Sequence, residues 1–517
     1  MKKNRKWKVF TLIVAASLLI AFLILRSTWV EEQSRSSRDA FLYGTIGTEL
    51  VPLPVFQILP DMFPDQFQPD GKEAGDWIKQ FGFIQGTPGV NEGLPVGFTV
   101  SNYLPRTGSP APVKFVGLGC SACHTSTIRT SERDEGVIVY GMGSTSLDFF
   151  GWADALRTAI LAEDRLTMRT IREAYEAKYN RSLGILENVT IRFWLSGIRD
   201  ALKATLPKYD APFGGKDLRN SEWMPIGPGR SQAFRSLVQI AMDRPGATDR
   251  AYSKLPAIYQ QGRRESAQFD GGAKDFVLRS ALASLGSGST LETLALPEVL
   301  DNIRKASAYS FDLKGPRYSE VFGDSQVDSE RSRRGQAVYR QHCGSCHGYP
   351  GPGEQWERGE RQGEIVLLDE IKTDRYRVSF RYYETVGKAV YDYFPDDHPL
   401  NPQGDDLRQE GAIGFINAPL ESVFTRAPYL HNGSVLTLAE LINLKPRRDV
   451  VYRGTNFYDP VDVGLISPEQ PDARHYYRFD TSEKGNSNKG HDYPWPHKGL
   501  GWDENALKDL LEYLKTF

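Results

Sequence analysis

Two short cysteine motifs constrain this 517-residue chain more than any other feature. The pattern C-x-x-C-H occurs at 120–124 and again at 343–347, and it accounts for all four cysteines of the chain. The residues that the two motifs define are Cys120, Cys123, His124, Cys343, Cys346 and His347. This pattern is the covalent attachment signature of c-type haem. We therefore predict two covalently bound haem c groups, each held by two thiols, with the motif histidine as proximal iron ligand.

Three other uses of paired cysteines are possible, and each fits the pattern less well. Zinc ribbons place their cysteine pairs about 15–20 residues apart, whereas these pairs lie roughly 220 residues apart. Structural disulfides suit an exported protein but do not explain a histidine directly after each second cysteine. A thioredoxin-like redox pair does not explain why the motif occurs twice. Haem attachment accounts for all of these features.

The composition is that of a globular protein of about three domains' length. Hydrophobic residues make up 40% and charged residues 25% of the chain, and the formal net charge is −2. A charge so close to zero does not favour a nucleic-acid-binding protein.

The N-terminus indicates export. It carries several basic residues before an uncharged apolar run at 9–25. The stretch 7–30 is long enough to cross about 30 Å of hydrocarbon, so we predict an uncleaved signal anchor at 1–30. A cleaved signal peptide is the alternative. We expect the remainder, an N-terminal haem domain at 31–310 and a C-terminal one at 311–517, on the periplasmic side of a bacterial inner membrane.

The distribution of histidines predicts that the two irons differ in their ligands. Of eight histidines, only His124 precedes residue 342, so the first haem has no second histidine in its own half. Its sixth position is filled by a methionine, a tyrosine or a group from the other half, or it is open. An open position can bind dioxygen or peroxide, which makes His124 the candidate catalytic ligand. The candidate methionines are Met62, Met142, Met168, Met224 and Met242.

The second haem is expected to have a histidine or tyrosine as its distal ligand, because no methionine follows Met242. His431 and His491 are the best candidates, since both lie in loops rich in glycine and asparagine. His342 directly precedes Cys343 and is expected to be excluded sterically. The remaining histidines, expected at the surface, are His398, His475 and His497.

Local patterns predict helices in several places. The proline- and glycine-rich stretch 41–119 is expected to be irregular, followed by a short strand at 137–140. Apolar spacing predicts helices within 145–206 and at 297–307. Ser329 is placed to cap a helix that leads into the second motif, with Gly335 and Tyr339 on one face.

An amphipathic helix at 503–517 is expected to cross the helix before the second motif, as a cytochrome c module requires. The predicted fold is therefore mainly α with much irregular structure. It has two cytochrome-c-like haem modules, of which the N-terminal one is atypical, and an N-terminal transmembrane anchor.

One longer stretch, RAPYLHNGSVLTL at 426–438, resembles a known group of proteins when it is taken with the two haem motifs. The group is the superfamily of di-haem c-type cytochromes, which includes bacterial cytochrome c peroxidase, the methylamine-dehydrogenase maturation enzyme and the rubber oxygenases. GNSNKGH at 485–491, GLPVGFT at 93–99 and GPGR at 227–230 are most similar to the rubber-oxygenase branch.

This resemblance implies a division of labour between the haems. The N-terminal haem would be the active one, and the C-terminal haem would be ligated by two histidines, with His491 distal and His431 in a nearby loop. The peroxidases fit less well, because they carry a removable histidine on the N-terminal haem and this half of the chain offers none. Some relatives also hold a calcium ion between domains, so calcium is a further expected cofactor.

Two functions follow as hypotheses. The first is a haem peroxidase- or oxygenase-type oxidoreductase that uses peroxide or dioxygen and receives electrons from an unidentified protein or quinol. The second is a di-haem cytochrome that only transfers electrons. Trp152, Trp194 and Trp223 are candidate relays between the haems, although core packing is the simpler role for each of them.

Overall fold

The computed structural model describes most of the chain beyond the N-terminus. The described residues are 35–67, 77–131, 134–210, 226–232, 236–244, 252–378, 386–469 and 476–517. The predicted anchor at 1–30 lies outside these ranges, as do Trp223, Met224 and His475. Within the described ranges, no helix is both long enough and apolar enough to cross a membrane.

The described chain contains both helices and short strands. The α-helices are α1 Ser37–Tyr43, α2 Leu53–Phe56, α3 Leu59–Met62, α4 Pro64–Phe67, α5 Trp77–Gln80, α6 Cys120–Cys123, α7 Phe149–Leu161, α8 Met168–Tyr179, α9 Ile185–Asp210, α10 Phe276–Gly286, α11 Leu291–Leu294, α12 Pro297–Asp312, α13 Tyr318–Phe322, α14 Ser329–His342, α15 Gly344–His347, α16 Leu368–Ile371, α17 Lys388–Tyr393, α18 Leu438–Leu441 and α19 Glu504–Leu514. The strands are β1 Val51–Pro52, β2 Phe98–Tyr103, β3 Pro110–Leu118, β4 Thr125–Ile128, β5 Val137–Tyr140, β6 Arg230–Ser231, β7 Ser253–Lys254, β8 Tyr349–Pro350, β9 Trp356–Glu357, β10 Ile365–Leu367, β11 Gly414–Ile416, β12 Val450–Arg453, β13 Tyr458–Asp459, β14 Gly464–Leu465 and β15 Tyr477–Asp480.

The predicted fold class, a mainly α protein, is wrong, whereas the predicted anchor at 1–30 lies outside the described residues. In the described ranges, nineteen α-helices are combined with one three-stranded and six two-stranded sheets. No membrane-crossing helix occurs in these ranges. The small sheets contribute to the framework around the first motif, so the fold is a mixture of helices and sheets rather than mainly helical.

The clearest error concerns 41–119, which contains the antiparallel sheet β1-β3-β2. In β3, Ala111, Val113 and Phe115 are buried while the residues between them are exposed. This alternation is the period of a half-buried strand. The prolines at 110 and 112 obscured it, because proline usually indicates an irregular segment.

The sheet and helices α7–α9 enclose one apolar core beside the first motif. The strand predicted at 137–140 is confirmed as β5, and the helical region predicted at 145–206 is confirmed as α7–α9. Trp152 packs among Phe83 and Phe98 with ring centroids 5.6 and 5.7 Å away. The Trp194 indole donates a hydrogen bond to the Leu50 carbonyl at 2.7 Å. Both tryptophans therefore have a packing role in this core.

The helix before the second motif is confirmed as α14, and the C-terminal helix is confirmed as α19. The N-cap of α14 is Asp328 rather than Ser329, because the Asp328 carboxylate accepts the backbone N–H groups of Glu330 and Arg331. The two helices touch closely at Gly335, where an added Cβ would lie 1.9 Å from the Asp509 carbonyl oxygen. The Tyr339 ring packs against the Phe517 ring beside this crossing in a tilted arrangement, with centroids 4.8 Å apart.

We predict that Gly335→Ala destabilises the protein by about 3 kcal/mol, because the methyl group would collide with backbone that cannot move independently. Gly197→Ala is the matched control. Gly197 lies within α9, an added Cβ there meets nothing within 4 Å, and the change should stabilise the protein by about 0.5–1 kcal/mol. Thermal unfolding followed by circular dichroism measures both. Equal melting temperatures for the two variants would contradict the close crossing.

Candidate haem sites

The first motif forms a single helical turn, α6, directly after strand β3. Its turn is held by the loop before β2, where Gly97 adopts φ +90°. An added Cβ at Gly97 would lie 2.2 Å from the backbone nitrogen of Ala122, so only glycine permits this approach. The stretch 93–99 thus serves to support the attachment turn.

His124 is oriented by a backbone carbonyl from a distant part of the chain. Its Nδ1 lies 2.9 Å from the Pro256 oxygen, 132 residues away in sequence. A carbonyl can only accept, so Nδ1 carries the hydrogen and the neutral ring keeps its lone pair on Nε2. Burial lowers the pKa of His124 to about 4, so the ring is neutral at physiological pH. This is the tautomer that a metal-binding Nε2 requires.

The second motif repeats this arrangement. His347 Nδ1 donates to the Ala418 carbonyl at 2.7 Å, and burial lowers the pKa of His347. Helix α14 fixes the start of the motif, since the N–H of Cys343 donates to the Tyr339 carbonyl at 2.7 Å. The Tyr339 hydroxyl donates to the Gly348 carbonyl at 2.8 Å, just after the motif. Both motif histidines therefore present Nε2 as a free ligand.

The ring of His491 faces the ring of His347. Their centroids lie 6.1 Å apart, with 42° between the ring planes. Metal–imidazole bonds of about 2 Å on opposite sides of one iron place two ring centroids roughly 6 Å apart. Burial and the neighbouring His347 lower the pKa of His491 to about 3, which keeps this ring neutral as well. His347 and His491 are therefore the two residues that would hold the iron of a haem attached at the second motif.

A tight backbone approach holds His491 in place. Its N–H donates to the Ile371 carbonyl at 2.9 Å, and its φ is +56°. At the preceding Gly490, an added Cβ would lie 2.4 Å from the Thr373 backbone nitrogen. Glycine at this position thus lets the loop bring the histidine against 371–373.

His431 is placed differently. It is 5% exposed and stacks on Phe415 with centroids 4.4 Å apart. As far as the described ranges show, it makes no ring contact with His347, and its Nε2 has no hydrogen-bond partner. Burial holds the pKa of His431 well below its ordinary value. The geometry therefore favours His491 over His431 opposite His347.

The other histidines have partners of their own. The His342 ring packs edge-on against Trp495 at 5.1 Å. His497 Nδ1 donates to the Asn443 carbonyl, and His398 Nε2 donates to the Leu291 carbonyl. Both rings are half-buried rather than fully at the surface.

A cavity of about 320 Å³ lies at the second motif. Its lining includes Cys343, Cys346, His347, His431, His491 and Leu514. Two thiols at the attachment spacing, two facing imidazoles and an apolar wall from α18 and α19 are the donor set and surroundings that a haem c needs. The residues at this site therefore fit the group.

All four motif cysteines are unpaired. Burial raises the pKa of Cys120 to about 11 and those of Cys123 and Cys343 to about 12, so these thiols are protonated at neutral pH. The part of the chain that the structure describes contains no group of three or more His, Cys, Asp or Glu side chains that could hold a metal ion. Calcium stays a prediction.

The surroundings of the first motif are apolar. Cys120 packs against a cluster that contains Leu237, Met242 and Phe276. Of the candidate methionines that the structure describes, Met242 shares this cluster with Cys120, whereas Met142 lies in the C-terminal core. Met62 and Met168 border the core to which Cys123 contributes. The identity of the distal ligand at the first motif stays a prediction.

One segment of the chain matches a known family. Residues 414–453 match the family described as RoxA-like, cytochrome c-like. This segment supplies Ala418, the carbonyl partner of His347, and the cavity-lining residues Arg426 and His431. The match supports a relationship to rubber-oxygenase-like cytochromes c and indicates covalently bound haem c.

Two curated proteins of Sinorhizobium fredii (strain NBRC 101917 / NGR234) are similar to the chain. The uncharacterized protein y4iJ is 25% identical over 619 aligned residues, which cover 100% of both chains. The uncharacterized protein y4iM is 28% identical over 300 residues, which cover 51% of this chain and 64% of y4iM.

Sequence reasoning missed the groups that orient the ligands. Pro256 and Ala418 act through backbone carbonyls, which no side-chain pattern reveals. It also missed Arg264 and Arg279, which line the cavity at the second motif.

We predict that His491→Ala abolishes a low-spin, two-histidine spectrum of the second haem, because His491 faces His347 at ligand spacing. His431→Ala is the matched control and should keep that spectrum, since His431 stacks on Phe415 instead. Electron paramagnetic resonance of the purified oxidised variants measures the difference. If His491→Ala retained the signal and His431→Ala lost it, the assignment would move to His431.

Proposed function

We propose that this protein is an exported di-haem c-type cytochrome that acts as an oxidoreductase. A haem held at the first motif would supply a site for reaction with peroxide or dioxygen, and a haem held at the second motif would transfer electrons. Cys120 and Cys123 hold the first haem with His124 as its iron ligand. Cys343 and Cys346 hold the second, with His347 and His491 as its two ligands.

The observation that carries this proposal is the unequal surroundings of the two motif histidines. His347 has a second imidazole facing it at 6.1 Å. His124 has the same carbonyl-fixed orientation, but no described histidine ring lies against it. An iron with two histidine ligands suits electron transfer, whereas an iron with a replaceable sixth ligand can react with a small oxidant.

The residues of the chain have separate tasks in this scheme. The carbonyls of Pro256 and Ala418 hold each proximal ring in its ligating tautomer. The apolar cluster around Cys120 limits water near the first haem and suits a neutral small molecule. Leu514 and Tyr493 line the cavity that would hold the electron-transferring haem.

The two haem-attachment motifs favour a location outside the cytoplasm, because c-type haem is joined to protein there in bacteria. The electrons would come from a donor protein or a quinol.

The resting spectrum tests this function. We expect the pyridine haemochrome assay to give two covalently bound haems, and electron paramagnetic resonance to show one high-spin and one low-spin iron. In the double variant Cys120→Ser/Cys123→Ser, the high-spin signal should disappear together with one haem. In Cys343→Ser/Cys346→Ser, the high-spin signal should remain while the low-spin signal is lost.

Reaction with oxidant completes this test. Peroxide or dioxygen should change the spectrum of the wild-type protein rapidly, and should leave the variant that lacks Cys120 and Cys123 unchanged. Two wholly low-spin haems that react with neither oxidant would instead establish a cytochrome that only transfers electrons. Fewer than two attached haems would overturn the assignment of the motifs.

A further inference from the structure

The cavity at the second motif carries an excess of positive charge. In the described residues its lining contains three arginines, Arg264, Arg279 and Arg426, and one acid, Glu370. It also contains Lys254, whose pKa burial lowers to about 7. The Glu370 carboxylate is already paired with Arg361 at 2.8 Å. The cations of the lining therefore lack an anion within the lining itself.

The buried carboxylate of Glu421, which lies behind the lining, is close to three arginines. Glu421 lies 2.7 Å from Arg426, 3.9 Å from Arg263 and 4.0 Å from Arg264. Only the distance to Arg426 is that of a hydrogen-bonded ion pair. Arg264 therefore interacts electrostatically with the Glu421 carboxylate but is not hydrogen-bonded to it.

Two arginines of the lining have buried guanidinium atoms without hydrogen-bond partners in the described chain. These atoms are Nε and Nη2 of Arg264 and Nε of Arg279. Among the described residues, no carboxylate forms an ion pair with Arg279. A buried guanidinium N–H that lacks an acceptor costs about 1–3 kcal/mol, so such groups normally meet one.

Arg264 and Arg279 line a cavity that reaches both motifs, because its lining also includes His347 and Pro256, the carbonyl partner of His124. Arg279 lies on α10, whose Phe276 belongs to the apolar cluster against which Cys120 packs. Arg264 lies 4.0 Å from Glu421, in the segment that follows Ala418, the carbonyl partner of His347. Arg279 is therefore associated with the first motif and Arg264 with the second.

We propose that Arg264 and Arg279 bind the carboxylates of the two porphyrins, Arg279 chiefly at the first haem and Arg264 chiefly at the second. A planar guanidinium can hold a carboxylate through two parallel hydrogen bonds. Each haem brings two carboxylates, which supply the anions that the cavity lacks. This inference rests on the proposed presence of a haem at each motif.

The arrangement has a consequence for electron transfer. An oxidised haem carries one more positive charge than a reduced haem, so nearby cations destabilise the oxidised form. Because the site is shielded from water, this effect is stronger than it would be at the surface. Arg264 and Arg279 therefore raise the reduction potentials of both haems, and each raises that of its own haem more.

The experiment measures reduction potentials of the purified holoprotein by spectroelectrochemical titration. We expect Arg264→Gln to lower the ratio of reduced to oxidised second haem about tenfold at a fixed potential, which is 59 mV for a one-electron couple. Arg279→Gln should do the same at the first haem. Arg264→Lys, which keeps the charge, should recover most of the shift.

Two further variants separate charge from packing. Glu421→Gln removes a negative charge beside the same row and should raise the potentials, the opposite sign. Arg169→Gln makes the same charge change at a side chain that is 80% exposed and should leave them unaltered. If Arg264→Gln fails to accumulate, Arg264→Lys and Glu421→Gln decide the question.

The possible outcomes are distinguishable. The proposal is overturned if both haems are attached in Arg264→Gln and Arg279→Gln but the potentials match those of Arg169→Gln. It is also overturned if Glu421→Gln lowers the potentials. Fewer than two haems in the wild-type protein, counted by the pyridine haemochrome assay, would instead overturn the proposed function.

Discussion

Two hydrogen bonds from imidazole to backbone carbonyl determine what both sites can do. His124 donates to Pro256 at 2.9 Å and His347 donates to Ala418 at 2.7 Å. Each bond fixes the tautomer and the ring orientation, so each histidine presents Nε2 away from its support. Each carbonyl comes from a segment far along the chain, so a ligand in the right orientation exists only once those segments have folded together.

The two motifs differ in the secondary-structure elements that precede and support them. The second follows α14, whose crossing with α19 at Gly335 encloses the cavity from one side. The first follows a strand, β3, and is supported by the close approach of Gly97. The same C-x-x-C-H pattern therefore follows a strand at the first site and a helix at the second. The proximal histidine has the same orientation in both, whereas the opposite face differs, since only His347 has a described imidazole across from it.

Some of this organisation could be predicted from the sequence, because it is encoded in local patterns. The spacing of leucines in α19 and the residues before Cys343 gave both helices of the crossing. The loops rich in glycine and asparagine indicated both His431 and His491 as candidates, and only tertiary structure shows which ring lies beside His347. The sheet β1-β3-β2 was missed because prolines interrupt an alternation that burial alone makes visible. Pro256 and Ala418 were not predictable, since their role depends on backbone atoms brought close by tertiary structure.

The buried arginines show why side-chain identity is a weak guide without the fold. Arg264 and Arg279 are ordinary residues in the sequence, and nothing in their neighbourhoods distinguishes them from the arginines of the surface. What distinguishes them is that some of their guanidinium nitrogen atoms lack hydrogen-bond partners and lie beside a cavity. Buried guanidinium N–H groups without an acceptor destabilise the folded chain, and an anion that binds only the folded state stabilises it. If haem is attached as proposed, cofactor attachment and folding would be coupled at the cavity: the motif cysteines would retain the porphyrin, and its carboxylates would accept from these N–H groups.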